Sequence, residues 1–176
     1  NIVTATDRGD PLGGITKAMG GGLYTYHDGN SGKHLELKIT STSFQENKAV
    51  ATCTVEGTGA QINAYGGGAF FNVNTEAILD NVAFKANEAT SKEGAAYGGG
   101  LYSITAIEIT GSIDNTDPSN PVTKDSWFIN NIASGATHAL GGGAYAAGQI
   151  TLDYSSFSGK KAKATGDAGV VQGAGP

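Results

Sequence analysis

The sequence predicts an all-β fold, a parallel β-helix of about four to five coils with loop insertions, and three observations support it. Glycine makes up 28 of the 176 residues, whereas charged residues make up only 15%. The tripeptide Gly-Gly-Gly occurs four times, and the motif Phe-x-x-Asn alternates with it. Successive coils of a β-helix stack ~4.8 Å apart, so a residue type that recurs once per coil forms a ladder along the axis.

The glycine triplets begin at Gly20, Gly66, Gly98 and Gly141. Two residues after each triplet stands an aromatic residue, and together these form a column: Tyr24, Phe70, Tyr102 and Tyr145. The residue before each aromatic is Leu or Ala, and side chains alternate between the two faces of a strand. One column therefore faces inward and the other outward. Outward aromatics would give a ladder for stacking on sugars or another chain, and inward aromatics would be core.

The second motif occurs as Phe44 to Asn47, Phe84 to Asn87 and Phe128 to Asn131, and a fourth copy carries Phe157 with Lys160 in place of Asn. We expect the phenylalanines to stack inside the coil. We expect the asparagines to form a ladder at a corner, where their amides bond to one another and to turn backbone.

The spacing of the motifs predicts a unit of about 30 residues with three short strands, at the glycines, at an aliphatic pair and at Phe. The aliphatic pairs lie seven and five residues before three of the phenylalanines, as Leu37/Ile39, Ala77/Leu79 and Ile150/Leu152. The longer repeats contain the polar segments 26–33 and 111–125, which are predicted to be loop insertions at corners.

We assign residues 1–160 to the β-helix repeats and 161–176 to a Gly-rich tail or degenerate coil. Asn1 precedes Gly20 by 19 residues, as Asn47 precedes Gly66, so the chain is expected to start within a repeat of a longer solenoid. Exposed strand edges of such a segment would pair with other copies or with a flanking domain.

The alternation of Phe-x-x-Asn with glycine triplets resembles the repeat of the chlamydial polymorphic membrane proteins and of related autotransporter passengers, whose signature is Phe-x-x-Asn followed by Gly-Gly-Ala-(Ile/Leu/Val). The third position here is Gly in every copy, where that family has Ala. The resemblance implies a right-handed β-helix at a cell surface, associated with the outer membrane. It also implies adhesion to a host-cell receptor or surface glycan. Its motif residues would then be adhesion candidates: Phe44, Asn47, Phe84, Asn87, Phe128 and Asn131. Their regular stacking favours a structural role instead.

The charge balance excludes some partners. With 11 Lys and Arg against 16 Asp and Glu, the chain lacks the basic surface of a nucleic-acid-binding protein.

No apolar run reaches the ~18 residues of a membrane span, so no membrane insertion by this segment is expected. Cys53 is the only cysteine, and the sequence contains no cofactor fingerprint, so we expect no cofactor.

Three weaker motifs remain. Arg8-Gly9-Asp10 matches the integrin-binding tripeptide of some adhesins, or is a solvated corner loop. Asp114 and Asp117, with Asp125 nearby, offer oxygen ligands for Ca²⁺, or belong to a polar loop. His27, His34 and His138 fit no metal-binding spacing.

An enzyme of the polysaccharide-active β-helix type would need paired carboxylates. Asp80 and Asp153 each lie four residues before a Phe, but they are two repeats apart. We therefore expect a non-enzymatic extracellular repeat segment of a larger surface protein, serving in structural display or adhesion. The alternative hypothesis is a self-associating or carbohydrate-binding module of a filament or surface layer. The third hypothesis is a polysaccharide-active β-helix enzyme.

Overall fold

The computed structural model describes residues 1–7, 15–26, 35–53, 61–72, 75–114, 116–119, 121–166 and 169–173, with the side chains of Asp7, Leu35 and Asp114 excepted. The described residues form strands and turns and contain no helix, so none of them belongs to a helix able to cross a membrane. The chain is a parallel β-helix, as the sequence predicts.

In the described residues, each of the first two coils contains five short strands. Coil 1 consists of β1 (Ile2–Asp7), β2 (Ile15–Met19), β3 (Leu23–Thr25), β4 (Leu35–Thr40) and β5 (Ser43–Gln45). Coil 2 consists of β6 (Lys48–Cys53), β7 (Gln61–Tyr65), β8 (Ala69–Phe71), β9 (Thr75–Asp80) and β10 (Ala83–Lys85).

The later coils repeat this order. Coil 3 consists of β11 (Glu88–Ser91), β12 (Ala96–Tyr97), β13 (Leu101–Ser103), β14 (Ile107–Thr110), the inserted β15 (Ser112–Asp114) and β16 (Val122–Lys124), and β17 (Ser126–Ile129). Coil 4 consists of β18 (Ile132–Gly135), β19 (His138–Leu140), β20 (Ala144–Ala146), β21 (Ile150–Leu152) and β22 (Ser155–Ser158). A fifth coil begins with β23 (Lys161–Ala164) and β24 (Val170–Gln172).

Equivalent strands of successive coils pair in parallel and build five sheets, which we number along the coil. Sheet 1 is β1-β6-β11-β18-β23, sheet 2 is β2-β7-β12-β19-β24, sheet 3 is β3-β8-β13-β20, sheet 4 is β4-β9-β14-β21 and sheet 5 is β5-β10-β17-β22. The prediction of three strands per coil is therefore wrong. It missed sheets 1 and 2, whose buried hydrophobic cluster consists of alanines apart from Ile62.

The insertion at 111–125 is more ordered than the predicted loop. Strands β15 and β16 pair antiparallel, with Ile113 opposite Thr123, and form a hairpin between sheets 4 and 5 of coil 3. The hairpin leaves the register of the coil intact, because Ile107 pairs with Ala77 on one side and with Ile150 on the other. Residues 27–33 of the first predicted insertion, which was expected at 26–33, lie outside the described residues.

The interior is divided into two lobes. The large lobe lies between sheets 3, 4 and 5 and contains the bulky core residues, among them Phe71, Leu79, Phe84, Leu101 and Ile109. The alanine lobe lies between sheets 1 and 2, and apart from Ile62 its buried members are alanines: Ala18, Ala49, Ala51, Ala64, Ala89, Ala96 and Ala133.

The segment after residue 160 continues the two sheets of the alanine lobe. Strand β23 pairs with β18, placing Ala162 next to Ala133, and β24 pairs with β19, placing Val171 next to Ala139. Gly173 repeats the left-handed backbone of Gly141, with φ values of 63° and 62°. The described part of the tail thus has the geometry of a further coil.

Candidate functional site

The phenylalanines of the Phe-x-x-Asn motif form the predicted ladder inside the large lobe. Phe44, Phe84, Phe128 and Phe157 occupy one register position in sheet 5. Neighbouring rings are stacked, with centroids 4.6, 4.8 and 4.4 Å apart. Phe84 and Phe128 are fully buried, and Phe44 is 9% exposed.

The asparagines form the predicted ladder at the corner between sheets 5 and 1. The Asn47 side-chain amide donates to Oδ1 of Asn87 at 3.0 Å, and the Asn87 amide donates to Oδ1 of Asn131 at 3.0 Å. The Asn87 amide also donates to the carbonyl of Phe44, and the Asn131 amide to that of Phe84. In the fourth copy, Lys160 Nζ donates at 3.3 Å to the carbonyl of Phe157 in its own motif rather than to a carbonyl of the preceding coil.

The glycine triplets pack directly against these asparagine corners. A Cβ on the middle glycine would overlap backbone one residue beyond the asparagine, as Gly67 would with Glu88 and Gly99 with Ile132. A Cβ on the third glycine Gly100 would lie 3.1 Å from Cγ of Asn131. We call this contact between the two motifs the waist, since it separates the two lobes.

The six adhesion-candidate side chains of the Phe-x-x-Asn motif are buried in this arrangement: Phe44, Asn47, Phe84, Asn87, Phe128 and Asn131. Their hydrogen bonds and ring contacts are made to the chain itself. A partner of the folded chain does not reach them, so they have the structural role that the regular stacking favours.

The column of Tyr24, Phe70, Tyr102 and Tyr145 faces outward. These four residues share one register position in sheet 3, whereas the preceding Leu23, Ala69, Leu101 and Ala144 pack in the large lobe. Tyr24 is 42% exposed, but Phe70 is only 2% exposed although it points away from the core. Other side chains must therefore cover it from outside.

Part of this cover comes from a second column, which the sequence motifs did not indicate, since the rings of Tyr65 and Phe70 meet edge to face with centroids 5.9 Å apart. Met19, Tyr65, Tyr97 and Leu140 stand immediately before the glycine triplets and share one register position in sheet 2. Tyr65 and Tyr97 stack at 5.0 Å, and Tyr65 meets the edge of Tyr102 at 4.9 Å. We call the two columns together the aromatic corner. Aromatic or large apolar residues on both sides of each Gly-Gly-Gly were the signal available in the sequence.

The ring orientation corrects the idea of a ladder on which sugars stack. Tyr24, Phe70, Tyr102 and Tyr145 stack on one another along the axis, with centroids 5.4, 5.2 and 5.6 Å apart and interplanar angles of 27° or less. Each inner ring is covered on both faces by its neighbours. A partner therefore meets ring edges and hydroxyl groups along the column, and a free ring face only at its ends.

Burial also changes the chemistry of the tyrosines. Desolvation, with repulsion from the Tyr65, Tyr145 and Tyr97 phenolates, raises the pKa of Tyr102 to about 12. Burial likewise raises the pKa of Tyr97. It also raises the pKa of Tyr65, against an opposing hydrogen bond from Asn63. Like ordinary tyrosine hydroxyls, those of these three residues are protonated at neutral pH and can donate hydrogen bonds to a partner, so the raised pKa matters only at alkaline pH.

The remaining motifs contribute less. Arg8, Gly9, Asp10, His27 and His34 lie outside the described residues, as does the side chain of Asp114. Asp117 is exposed, and its Oδ1 accepts hydrogen bonds from the backbone and the hydroxyl of Ser119, which places it in a local turn. In the described part of the chain, no three His, Cys, Asp or Glu side chains are grouped to hold a metal ion.

The two carboxylates considered for catalysis are separated by a coil. Asp80 pairs with Thr110 of coil 3, and the amide of Asp153 in coil 4 donates to Ile109 beside that threonine. The spacing of the repeats predicted this separation.

Comparisons with known proteins add no family assignment. The chain matches no family model, and it shows no significant similarity to a curated protein or a solved structure.

Proposed function

We propose that the chain is a non-enzymatic β-helical repeat segment of a larger extracellular surface protein, serving in display or adhesion. The resemblance to the polymorphic membrane protein repeats supports this proposal, and with it a cell-surface location through association with the outer membrane. The partner would be a host-cell receptor or a surface glycan.

The aromatic corner is the observation that carries the proposal. The Phe and Asn side chains of the signature motifs are buried inside the coil. Six aromatic side chains lie instead on one outer face over four coils: Tyr24, Tyr65, Phe70, Tyr97, Tyr102 and Tyr145. Tyrosines with an apolar body and a polar tip are enriched at protein interfaces. Their rings hold one another in place, so a partner would order few side chains on binding.

Binding of the labelled chain to cultured mammalian cells and to immobilised cell-surface glycoproteins tests the proposal. Tyr24→Ser removes an exposed terminal ring of the corner and should weaken binding several-fold. Trp127→Ser is the matched control, because Trp127 lies in sheet 5 and is equally exposed, at 42%. Equal loss of binding in both variants, or no binding by the unmodified chain to any of these surfaces, would contradict an adhesive corner.

A second candidate function, self-association, is favoured by the last layer of the coil. In the described part of the chain, β20, β21 and β22 are paired on one side only, and Leu152 at the end of β21 is 51% exposed. Phe157 lines an apolar pocket there with Ala144 and Ile150. Static light scattering over a range of concentrations tests this candidate. Association that Leu152→Lys abolishes would support it, and a monomer at every concentration would rule it out.

A further inference from the structure

We propose that a polar recess on the outer face of sheet 2 binds a neutral hexopyranose. The recess spans coils 2 to 4 and is lined by Asn63, Glu93, Tyr97, Thr137 and His138. It borders the aromatic corner at Tyr97 but is a separate site, and it does not depend on partner binding at the corner.

The recess exists because coil 3 has a short strand in sheet 2. Strand β12 contains two residues, whereas β7 below it contains five. The turn before β12 folds tightly over coil 2, with Ser91 Oγ donating to the Ile62 carbonyl at 2.6 Å. Gly94 permits this approach, since a Cβ there would overlap the same carbonyl. The outer face therefore opens between Asn63 of coil 2 and His138 of coil 4.

The polar groups around the recess are held in place by backbone. Oδ1 of Asn63 accepts a hydrogen bond from the Ala95 amide at 2.9 Å, which orients the side-chain amide. Oε2 of Glu93 accepts from the Cys53 amide at 3.0 Å, which anchors the carboxylate at the rim. The Thr137 amide donates to the Gly94 carbonyl and fixes the opposite wall.

The composition of the lining indicates the class of ligand. Among the described residues that line it there is no Lys or Arg to attract an anion, and no group of acidic or His ligands for a metal. A carboxylate, an amide, an imidazole and a hydroxyl instead offer both donors and acceptors. A sugar hydroxyl can donate and accept at once, and the C–H surface of a pyranose can contact the Tyr97 ring that forms one wall.

An amide-shift titration of the isotope-labelled chain with D-glucose, D-galactose, D-mannose and N-acetyl-D-glucosamine tests the site. We expect saturable shifts, with at least one of these sugars, at Gly94, Ala95, Thr137 and His138. Glu93→Gln keeps an acceptor for the Cys53 amide but removes the charge. This variant should weaken the affinity for the sugar that binds the unmodified chain about tenfold, the range for a lost charge-assisted hydrogen bond.

Two further variants make the outcome specific. His138→Ala changes an exposed side chain and should weaken binding without unfolding the chain, whereas Glu108→Gln on the outer face of sheet 4 should have no effect. The proposal is overturned by the absence of saturable shifts with all four sugars, or by equal affinity in Glu93→Gln, His138→Ala and the unmodified chain. Tyr24→Ser should leave sugar binding intact, so failure at the aromatic corner and failure at the recess remain distinguishable.

Discussion

Asn87 donates two hydrogen bonds to a single atom, Oδ1 of Asn131, from its backbone amide and from its side-chain amide, each at 3.0 Å. Asn47 makes the same pair of bonds to Asn87. Oδ1 of Asn87 and of Asn131 thus accepts from the backbone amide of the asparagine one coil earlier. These buried backbone amides therefore have hydrogen-bond partners.

Replacing Asn87 with Ala should lower the free energy of unfolding by about 1–3 kcal/mol, because it removes the oxygen that accepts from both the backbone amide and the side-chain amide of Asn47 in the interior. Urea unfolding followed by circular dichroism measures the change. Gln149→Ala, at an exposed position, is the control. An equal effect in the two variants would show that the ladder bonds contribute nothing.

Phe84→Ala should cost about 3–5 kcal/mol, the usual range for a buried aromatic. Phe84 is stacked between Phe44 and Phe128, whereas Phe157 has one stacked neighbour in the described chain and is partly exposed. The loss in Phe157→Ala should therefore be smaller, as measured by the same unfolding experiment. The reverse order would be inconsistent with a ladder buried at its centre.

Gly99→Ala should destabilise the chain by about 3 kcal/mol, the upper end of the usual range for overpacking, because the new methyl group meets the rigid backbone of Ile132. The comparison variant is Gly173→Ala, whose Cβ would have its nearest neighbours at 3.5 Å. There only the left-handed backbone conformation is penalised, by about 1–2 kcal/mol. Thermal melts of both variants measure the difference, and a mild effect at Gly99 would mean that the waist is not tightly packed.

Tyr102 should make stability sensitive to alkaline pH. Its folded-state pKa is raised from 10.0 to about 12, so the unfolded chain releases this proton first and stability falls as the pH rises from 10 to 12. Tyr102→Phe should reduce that fall and leave stability at neutral pH nearly unchanged, since Phe70 occupies the same column. Unfolding curves measured across this pH range test the slope. An unchanged slope would show that Tyr102 ionises alike in the folded and unfolded chain.

The sequence predicts those parts of the fold in which residue type and spacing repeat together. The Phe84 and Asn87 ladders were predicted because their motif is short and contains no insertion. Ile107 and Ile109 were missed, because the hairpin at 112–124 moves them away from Phe128 and breaks the expected spacing. Their register with Ala77 and Leu79 becomes visible only in the paired strands.

The candidate sites were less predictable because they depend on three-dimensional contacts. The outward direction of Tyr102 was one of two alternatives, and its partners Tyr65 and Tyr97 lie on the far side of the glycine turn. The recess near Asn63 depends on the tight turn at residues 91–95, which has no repeated signature in the sequence.

The alanine lobe has a consequence for how the chain orders itself. Alanine has no side-chain rotamers, so Ala49, Ala64, Ala89 and Ala96 become fixed without loss of side-chain entropy. They also bury little apolar area, so most of the hydrophobic gain of each coil comes from the phenylalanine and aliphatic residues on the other side of the waist. We therefore expect sheets 1 and 2 to become ordered late in folding, after the larger side chains have brought two coils into register.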